Sequence, residues 1–355
     1  MNMNEVIANR SLQILGLRKG NYSYLHPNDH VNLSQSTNDV YPTAMRITSL
    51  DLVLNELIPN LKDLEASLSR KAKEFYKIHK SGRTHLQDAL PITLGDEFNS
   101  YSVIMEDLRF DLEDSLDNLY ALGIGGTAVG TGANTPKNYT KDVIKSIKEL
   151  SRLKVYPAKD MFSAMNSMKP FTTLSGVMRN LAVELTKIGN DLRLLQSGPT
   201  TGLKEISLPV VQPGSSIMPG KVNPSVVECL QMICFQVIGN DQTILEASEA
   251  GQLELNVFMP IINYNLLQSI KILSNGLKMF DKKCISGIKA DKKVSGAYME
   301  KSMGLAAILN PVIGFDKSAE VAKEALKTGV SIKDLVIKKG ILSKKDFEDL
   351  LKKNL

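Results

Sequence analysis

The segment Pro213-Gly-Ser-Ser-Ile-Met-Pro-Gly-Lys-Val-Asn-Pro224 gathers several groups that could do chemistry. Ser215 and Ser216 offer adjacent hydroxyls, Lys221 a cation and Asn223 an amide, with Met218 between them. Gly214 and Gly220 free the backbone, while Pro213, Pro219 and Pro224 restrict it. An apolar helical pattern resumes at Val226. The stretch reads as a mobile arm that brings a hydroxyl and a carboxylate clamp to the mouth of a helix. Composition alone also allows an ordinary surface loop.

Three further polar loops break or border helical patterns, at residues 34–39, 82–88 and 125–136. They supply hydroxyls and amides, including Ser36, Thr37 and Asn38 in the first and Thr84 in the second. His85 and Lys221 bring the titratable or cationic groups. A hydroxyl-rich site with a cation and few carboxylates suits a small dicarboxylate. His85 is the one histidine set in such a loop, and a structural role is its alternative reading. Glu228 lies one to two turns into the helix after Lys221. Its apolar neighbours Val226, Val227 and Leu230 argue for burial with a partner, against the alternative of a surface helix position. No Cys-x-x-Cys pair or Cys/His cluster points to a metal, and no cofactor is expected. Gly123-Ile-Gly-Gly-Thr-Ala-Val-Gly130 resembles a phosphate loop, but no strand pattern precedes it and the Lys-Ser/Thr ending is missing.

Such loops need rigid supports. Apolar residues at three-four spacing predict helices over 43–79 (with a kink at Pro59), 92–122, 171–196, 224–250 and 252–281. These patterns far exceed the usual mean of about 11–12 residues, and helices that long normally bundle. Residues 81–91 read as a loop between two of them. The expected class is all-α. Residues 37–292 are expected to form a five-helix central domain and residues 293–355 a small helical one, with residues 1–36 ahead of them. Residues 1–20 predict a short helix with Ile7, Leu12, Ile14 and Leu15 on one face. The 224–250 helix is apolar on several faces, through Val226, Val227, Leu230, Met232, Ile233, Phe235, Val237 and Ile238. That pattern predicts burial between subunits as well as within one, hence a homo-oligomer.

Composition narrows the classes. The chain has 355 residues, 43% of them hydrophobic, ample for a large core. Its net charge of +5 is spread among acidic residues, which argues against nucleic-acid binding. Three cysteines read as reduced core thiols of a cytoplasmic protein. The N-terminus has no secretory pattern, and no apolar run reaches the length of a membrane span of about 18 residues.

The segment from Gly214 to Pro224 resembles the signature of the aspartase/fumarase superfamily. Gln35-Ser-Thr-Asn-Asp-Val-Tyr-Pro-Thr43, Gly82-Arg-Thr-His-Leu-Gln-Asp88 and Gly126-Thr-Ala-Val-Gly-Thr-Gly132 agree with it, so the resemblance runs along essentially the whole chain. Ser-Thr-Asn-Asp-x-Tyr-Pro-Thr matches the ammonia-lyase branch, as do Val237-Ile-Gly-Asn-Asp241 and Ala250-Gly-Gln-Leu-Glu-Leu-Asn256. The resemblance implies a cofactor-free, reversible anti-elimination of ammonia from L-aspartate to give fumarate. It implies Ser215 as general base, with Ser36, Thr37 and Ser216 on the β-carboxylate. Thr84, Lys221 and Asn223 would hold the α-carboxylate, and Asn38 and His85 would meet the amino group. Met218 would line the loop, and Glu228 resembles the acid paired with the histidine. It further implies a homotetramer whose sites draw on three subunits. Hydration of fumarate is the alternative reaction, and a non-catalytic bundle subunit the alternative from another class. Two departures stand out. The chain reads as lacking most of the family's N-terminal domain, and Thr200 stands where the family pattern has an arginine.

Overall fold

A computed structural model describes residues 1–214 and 217–353. Among them are fourteen α-helices and three two-stranded sheets, so the class is all-α. In chain order the helices begin with α1 (Asn2–Ile14), α2 (Thr37–Leu52), α3 (Ile58–Phe75), α4 (Leu94–Ser115), α5 (Tyr139–Ser151) and α6 (Met161–Asn166). The series continues with α7 (Lys169–Gln196), α8 (Ser225–Glu249), α9 (Met259–Lys283), α10 (Lys292–Lys301), α11 (Leu305–Ile313), α12 (Phe315–Thr328), α13 (Ile332–Lys338) and α14 (Lys344–Lys353). The strands are β1 (His79–Thr84), β2 (Gln87–Thr93), β3 (Ala121–Leu122), β4 (Tyr156–Pro157), β5 (Ile206–Ser207) and β6 (Lys289–Ala290).

Five long helical segments carry the architecture: the α2–α3 run, α4, α7, α8 and α9. The first is continuous through a π-helical turn at Val53–Leu57. Pro59 has no N–H to give to the carbonyl four residues back, and the wider turn just before it absorbs the mismatch. The sequence anticipated these helices but placed some edges wrongly. Helix α2 starts earlier than expected, at Thr37, because Ser36 caps it. Helix α9 starts late, at Met259. Before it, the Asn256 amide donates to the carbonyls of Ala247 (3.0 Å) and Ser248 (3.1 Å), and its side-chain oxygen accepts from the Phe258 N–H (2.8 Å). These bonds hold residues 250–258 as a turn. The stretch read as a loop at 81–91 is largely an antiparallel β1–β2 hairpin. In α1 the buried positions are Ala8 and Leu12, whereas Ile7, Ile14 and Leu15 are exposed, so the expected apolar face is only partly used.

The chain forms two compact units. One holds Met1–Pro59, Leu108–Ala182 and Ile233–Ser274. Its core includes Met45, Leu50, Leu112, Met178, Ile244 and Leu266. Polar ties fix its helices: Ser175 and Arg179 of α7 donate to Asp241 of α8 at 2.6 and 3.0 Å. Asn240 of α8 donates to Ser269 of α9 at 3.0 Å.

The other unit holds Asn60–Asp107, Val183–Met232 and Asn275–Leu355. Phe75 meets Phe98 edge-on at 5.1 Å between α3 and α4, and Tyr101 donates to Asp191 of α7 at 2.8 Å. Helices α7 and α8 approach closely at Gly189, where a Cβ would lie 3.0 Å from a Val227 methyl. Helices α11 to α14 enclose their own apolar cluster, including Leu309, Val321, Val336 and Phe347.

Candidate active site

In the first unit the candidate residues sit at the start of α2. The Ser36 hydroxyl accepts from the Asn38 N–H (3.2 Å), and the Asp39 carboxylate accepts from the Ser36 N–H (3.0 Å), a reciprocal capping box. Ser36, Thr37 and Asn38 therefore occupy the amide-rich, partly positive end of a 16-residue helix, a natural place for a carboxylate. Asp39 is fully buried. Its second oxygen accepts from the N–H groups of Gly125 (3.0 Å) and Thr127 (2.9 Å). Burial raises its carboxyl above the ordinary value, against the opposing pull of the amide donors. One carboxylate thus joins two of the polar loops, and the Asn38 amide adds a bond to the Ala128 carbonyl (2.8 Å). A cavity of about 460 Å³ opens beside Asn38, lined also by Val129, Gln252, Glu254 and Phe258.

This geometry changes one argument about the glycine-rich loop. A short strand, β3, does precede it, contrary to the sequence reading. Its amide cradle is already filled by the Asp39 carboxylate, which leaves the same amides unavailable to a phosphate. Asp39 itself escaped the list of candidate residues. The signal was present as Ser36-x-x-Asp39, a capping pattern ahead of an apolar run.

In the second unit Thr84 and His85 lie exposed at the tip of the β1–β2 hairpin. Thr84 pairs with Gln87, so His85 and Leu86 form a two-residue turn, with φ of 53° and 62°. Positive φ at two non-glycine residues is strained, on the order of 1–3 kcal/mol each. The hairpin is held from below. Lys80 pairs with Glu97 (2.7 Å) and Glu205 (2.5 Å), and Arg83 with Glu205 (2.8 Å). Burial raises the Glu97 carboxyl, partly offset by Lys80. Asp88 accepts from the Met303 N–H (3.0 Å), and the Ser81 and Ser302 hydroxyls lie 2.8 Å apart.

The Pro213–Pro224 arm belongs to the same unit. Ser215 and Ser216 lie outside the described residues. A Cβ at Gly214 would meet the Lys221 carbonyl at 2.1 Å, so the arm's two stems touch there and only glycine fits. The Lys221 N–H donates to the Met218 carbonyl (3.2 Å), and Gly220 takes φ 80°. Met218, Lys221 and Asn223 are exposed, and Lys221 forms no ion pair among the described residues. Glu228 is only half-buried and faces Arg193 at 3.5 Å. The partner that its apolar neighbours called for is, within this chain, that guanidinium. No group of three or more His, Cys, Asp or Glu among the described residues could hold a metal.

Residues 1–239 match a family model described as Lyase, and residues 305–354 one described as Fumarase C C-terminus. The chain is 47% identical to an aspartate ammonia-lyase of Bacillus subtilis (strain 168), over 99% of this chain and 74% of that protein. It is 44% identical to an aspartate ammonia-lyase of Escherichia coli (strain K12), over 99% of this chain and 73% of that one. The crystal structure of a fumarate lyase:delta crystallin from Brucella melitensis bound to cobalt superposes with a TM-score of 0.95 at 44% identity, covering 100% of this chain and 76% of that one. A class II fumarase from Schistosoma mansoni gives 0.93 at 36% identity, covering 99% of this chain and 76% of that one. The chain spans about three quarters of the length of these relatives. No helix among the described residues is long and apolar enough to cross a membrane. With a matching family model over most of its length and relatives at this identity, the chain belongs to the aspartase/fumarase family of lyases.

Proposed function

We propose that this protein is an aspartate ammonia-lyase, catalysing the reversible anti-elimination of ammonia from L-aspartate to give fumarate. The observation that carries it is the similarity to aspartate ammonia-lyases of 44–47% over 99% of the chain, against 36% to the fumarase. The Ser-Thr-Asn-Asp form of the α2 cap supports the same branch.

The hard step is removal of a Cβ proton beside a carboxylate. It gathers two negative charges on one carboxyl group, and stabilising them is the main catalytic task. Ser215, as alkoxide, takes the proton. The electron pair enters the β-carboxylate as an aci-carboxylate, then returns to form the double bond as the Cα–N bond breaks and ammonia leaves. Ser36, Thr37 and Ser216 bind the β-carboxylate, helped by the partly positive end of α2. Thr84, Lys221 and Asn223 hold the α-carboxylate, and Lys221 also favours the Ser215 alkoxide. Asn38 and His85 meet the amino group, Met218 lines the arm, and Glu228 pairs with the histidine of another subunit. The strain stored at His85 supports a functional place for it, since such conformations persist where chemistry needs them. We assign a homotetramer with composite sites, supported by the apolar residues that α8 leaves exposed. The three cysteines form no disulfide among the described residues, which supports a reducing, cytoplasmic setting.

The test is fumarate consumption with and without ammonium, followed by its ultraviolet absorbance. Loss that requires ammonium and yields L-aspartate is expected, whereas malate formed without ammonium would replace the proposal with a hydratase. Ser215→Ala should lower kcat by at least a hundredfold with assembly intact, and near-parental turnover would remove Ser215 as the base.

A further inference from the structure

We propose that a cavity between Arg46 of α2 and the 158–170 segment binds a phosphate group, as inorganic phosphate or a small phosphate monoester, at a place that the ammonia-lyase reading does not use. All of its residues lie in one compact unit.

Arg46 is 3% exposed. Its terminal nitrogens donate to the carbonyls of Asn118 (2.6 Å) and Ala164 (3.4 Å). Its guanidinium carbon lies 5.4 Å from the centre of the Phe171 ring. The Nε–H has no acceptor. No carboxylate pairs with this guanidinium among the described residues. Burial lowers its pKa to about 10, so it keeps its charge at neutral pH. A buried charge without an opposite charge beside it is costly, and two carbonyl dipoles and an aromatic face offset only part of that cost. An anion from outside the chain would offset the rest.

The cavity that Arg46 lines has a volume of about 340 Å³. That is the small end of the range for ligand pockets, about 300–1,000 Å³. Lys159 and Lys169 also line it, both exposed and neither in an ion pair among the described residues. One acid faces them. Asp160 caps α6, its Oδ1 accepting from the Ser163 N–H at 2.7 Å. Three cations against one carboxylate leave an excess of two positive charges. A phosphate dianion concentrates two charges on one group, whereas a dicarboxylate divides them between its ends. The Ser167 hydroxyl accepts from the Lys169 N–H (3.3 Å), which leaves its own proton to donate. Lys169 also opens the 28-residue α7, whose partly positive end adds charge of the same sign. The two lysines are point charges on flexible stems, able to close on a bound phosphate, while Arg46 is fixed by its carbonyl contacts.

The experiment uses the full chain. Melting temperature and isothermal titration calorimetry are followed with inorganic phosphate, glycerol 3-phosphate and succinate, each against sodium chloride at equal ionic strength. Phosphate or its ester is expected to raise the melting temperature by several degrees where chloride does not, because a ligand of the folded state stabilises it. Tighter binding of the ester assigns the site to phosphate monoesters, and equal or weaker binding assigns it to free phosphate. Arg46→Met, and Lys159→Ala combined with Lys169→Ala, should each weaken binding at least tenfold. The two lysines are exposed, so the double variant carries the test where Arg46→Met does not fold. Binding that stays within twofold of the parent in the double variant overturns the proposal, because the ion then sits elsewhere on the chain. The absence of any phosphate effect, or a chloride effect of equal size, overturns it as well. Succinate that binds as tightly, with the same sensitivity to the lysines, replaces the phosphate class with carboxylates.

Discussion

At the scale of single residues, the carboxylate that organises the first unit is not one expected to touch substrate. Asp39 accepts three backbone N–H groups, from Ser36, Gly125 and Thr127, in a fully buried setting. Each buried donor left without an acceptor costs about 1–3 kcal/mol. Asp39→Ala should therefore lower stability by about 3 kcal/mol or more, read from the urea midpoint, and should disturb the Asn38 contact with Ala128. A loss below about 1 kcal/mol would show that water replaces the carboxylate. Burial raises the folded-state pKa above the unfolded one, so this carboxyl stabilises most below the ordinary carboxylate range. That contribution fades as pH rises through the raised value. The stability gap between the parent and Asp39→Asn, which does not titrate, should accordingly narrow from acid to neutral pH. The residues expected on substrate stood out in the sequence because they are polar and clustered. The sequence hid Asp39 because a residue that organises backbone amides looks like any capping acid until its distant partners, 86 and 88 positions on, are known.

At the scale of elements, long helices were legible and the hairpin was not. Leu, Ile and Val at three-four spacing leave little alternative to a helix over 25 or more residues, as in α8 and α9. Strand β1 reads His-Lys-Ser-Gly-Arg-Thr, without apolar alternation, and its turn is His85-Leu86 rather than the Asn-Gly or Asp-Gly that such turns favour. Its pairing is secured by the ion contacts of Lys80 and Arg83, which no local pattern announces. Helix contacts were equally silent. At Gly189 a Cβ would press on Val227 at 3.0 Å and on the Gln231 amide at 3.2 Å. Gln231 in turn donates to Asn190 (2.8 Å) and accepts from Arg193 (3.0 Å), the residue facing Glu228. A larger side chain at 189 must push α8 from α7 just where Glu228 is set. Gly189→Val should cost about 1–3 kcal/mol as overpacking, outweighing its gain in helix propensity. Differential scanning calorimetry checks this, and a raised melting temperature would mean that α8 yields without strain.

At the scale of the whole molecule, the question is what covers α8. Val227, Leu230, Cys234 and Val237 are buried within the chain, at helical spacing. Met232 and Phe235 are 62% and 57% exposed. Gly239 has open space around its Cα, and the three positions at i, i+3 and i+7 share one face. A stripe of two large apolar residues and a glycine lets another helix approach closely. The apolar pattern in the sequence showed that α8 had two faces to bury, and the folded chain accounts for one of them. Burying Met232 and Phe235 contributes on the order of 1.5–3 kcal/mol each, repeated in every subunit of the proposed tetramer. Placing Glu at both positions sets charges into an apolar contact and so opposes assembly. Met232→Glu with Phe235→Glu should therefore give monomers or dimers by light scattering, with helical circular dichroism retained. Activity should fall with assembly, because the proposed composite sites cannot form in a lone chain. A double variant that stays tetrameric would remove this face from the interface, and one that is active as a monomer would show that the site is complete within one subunit.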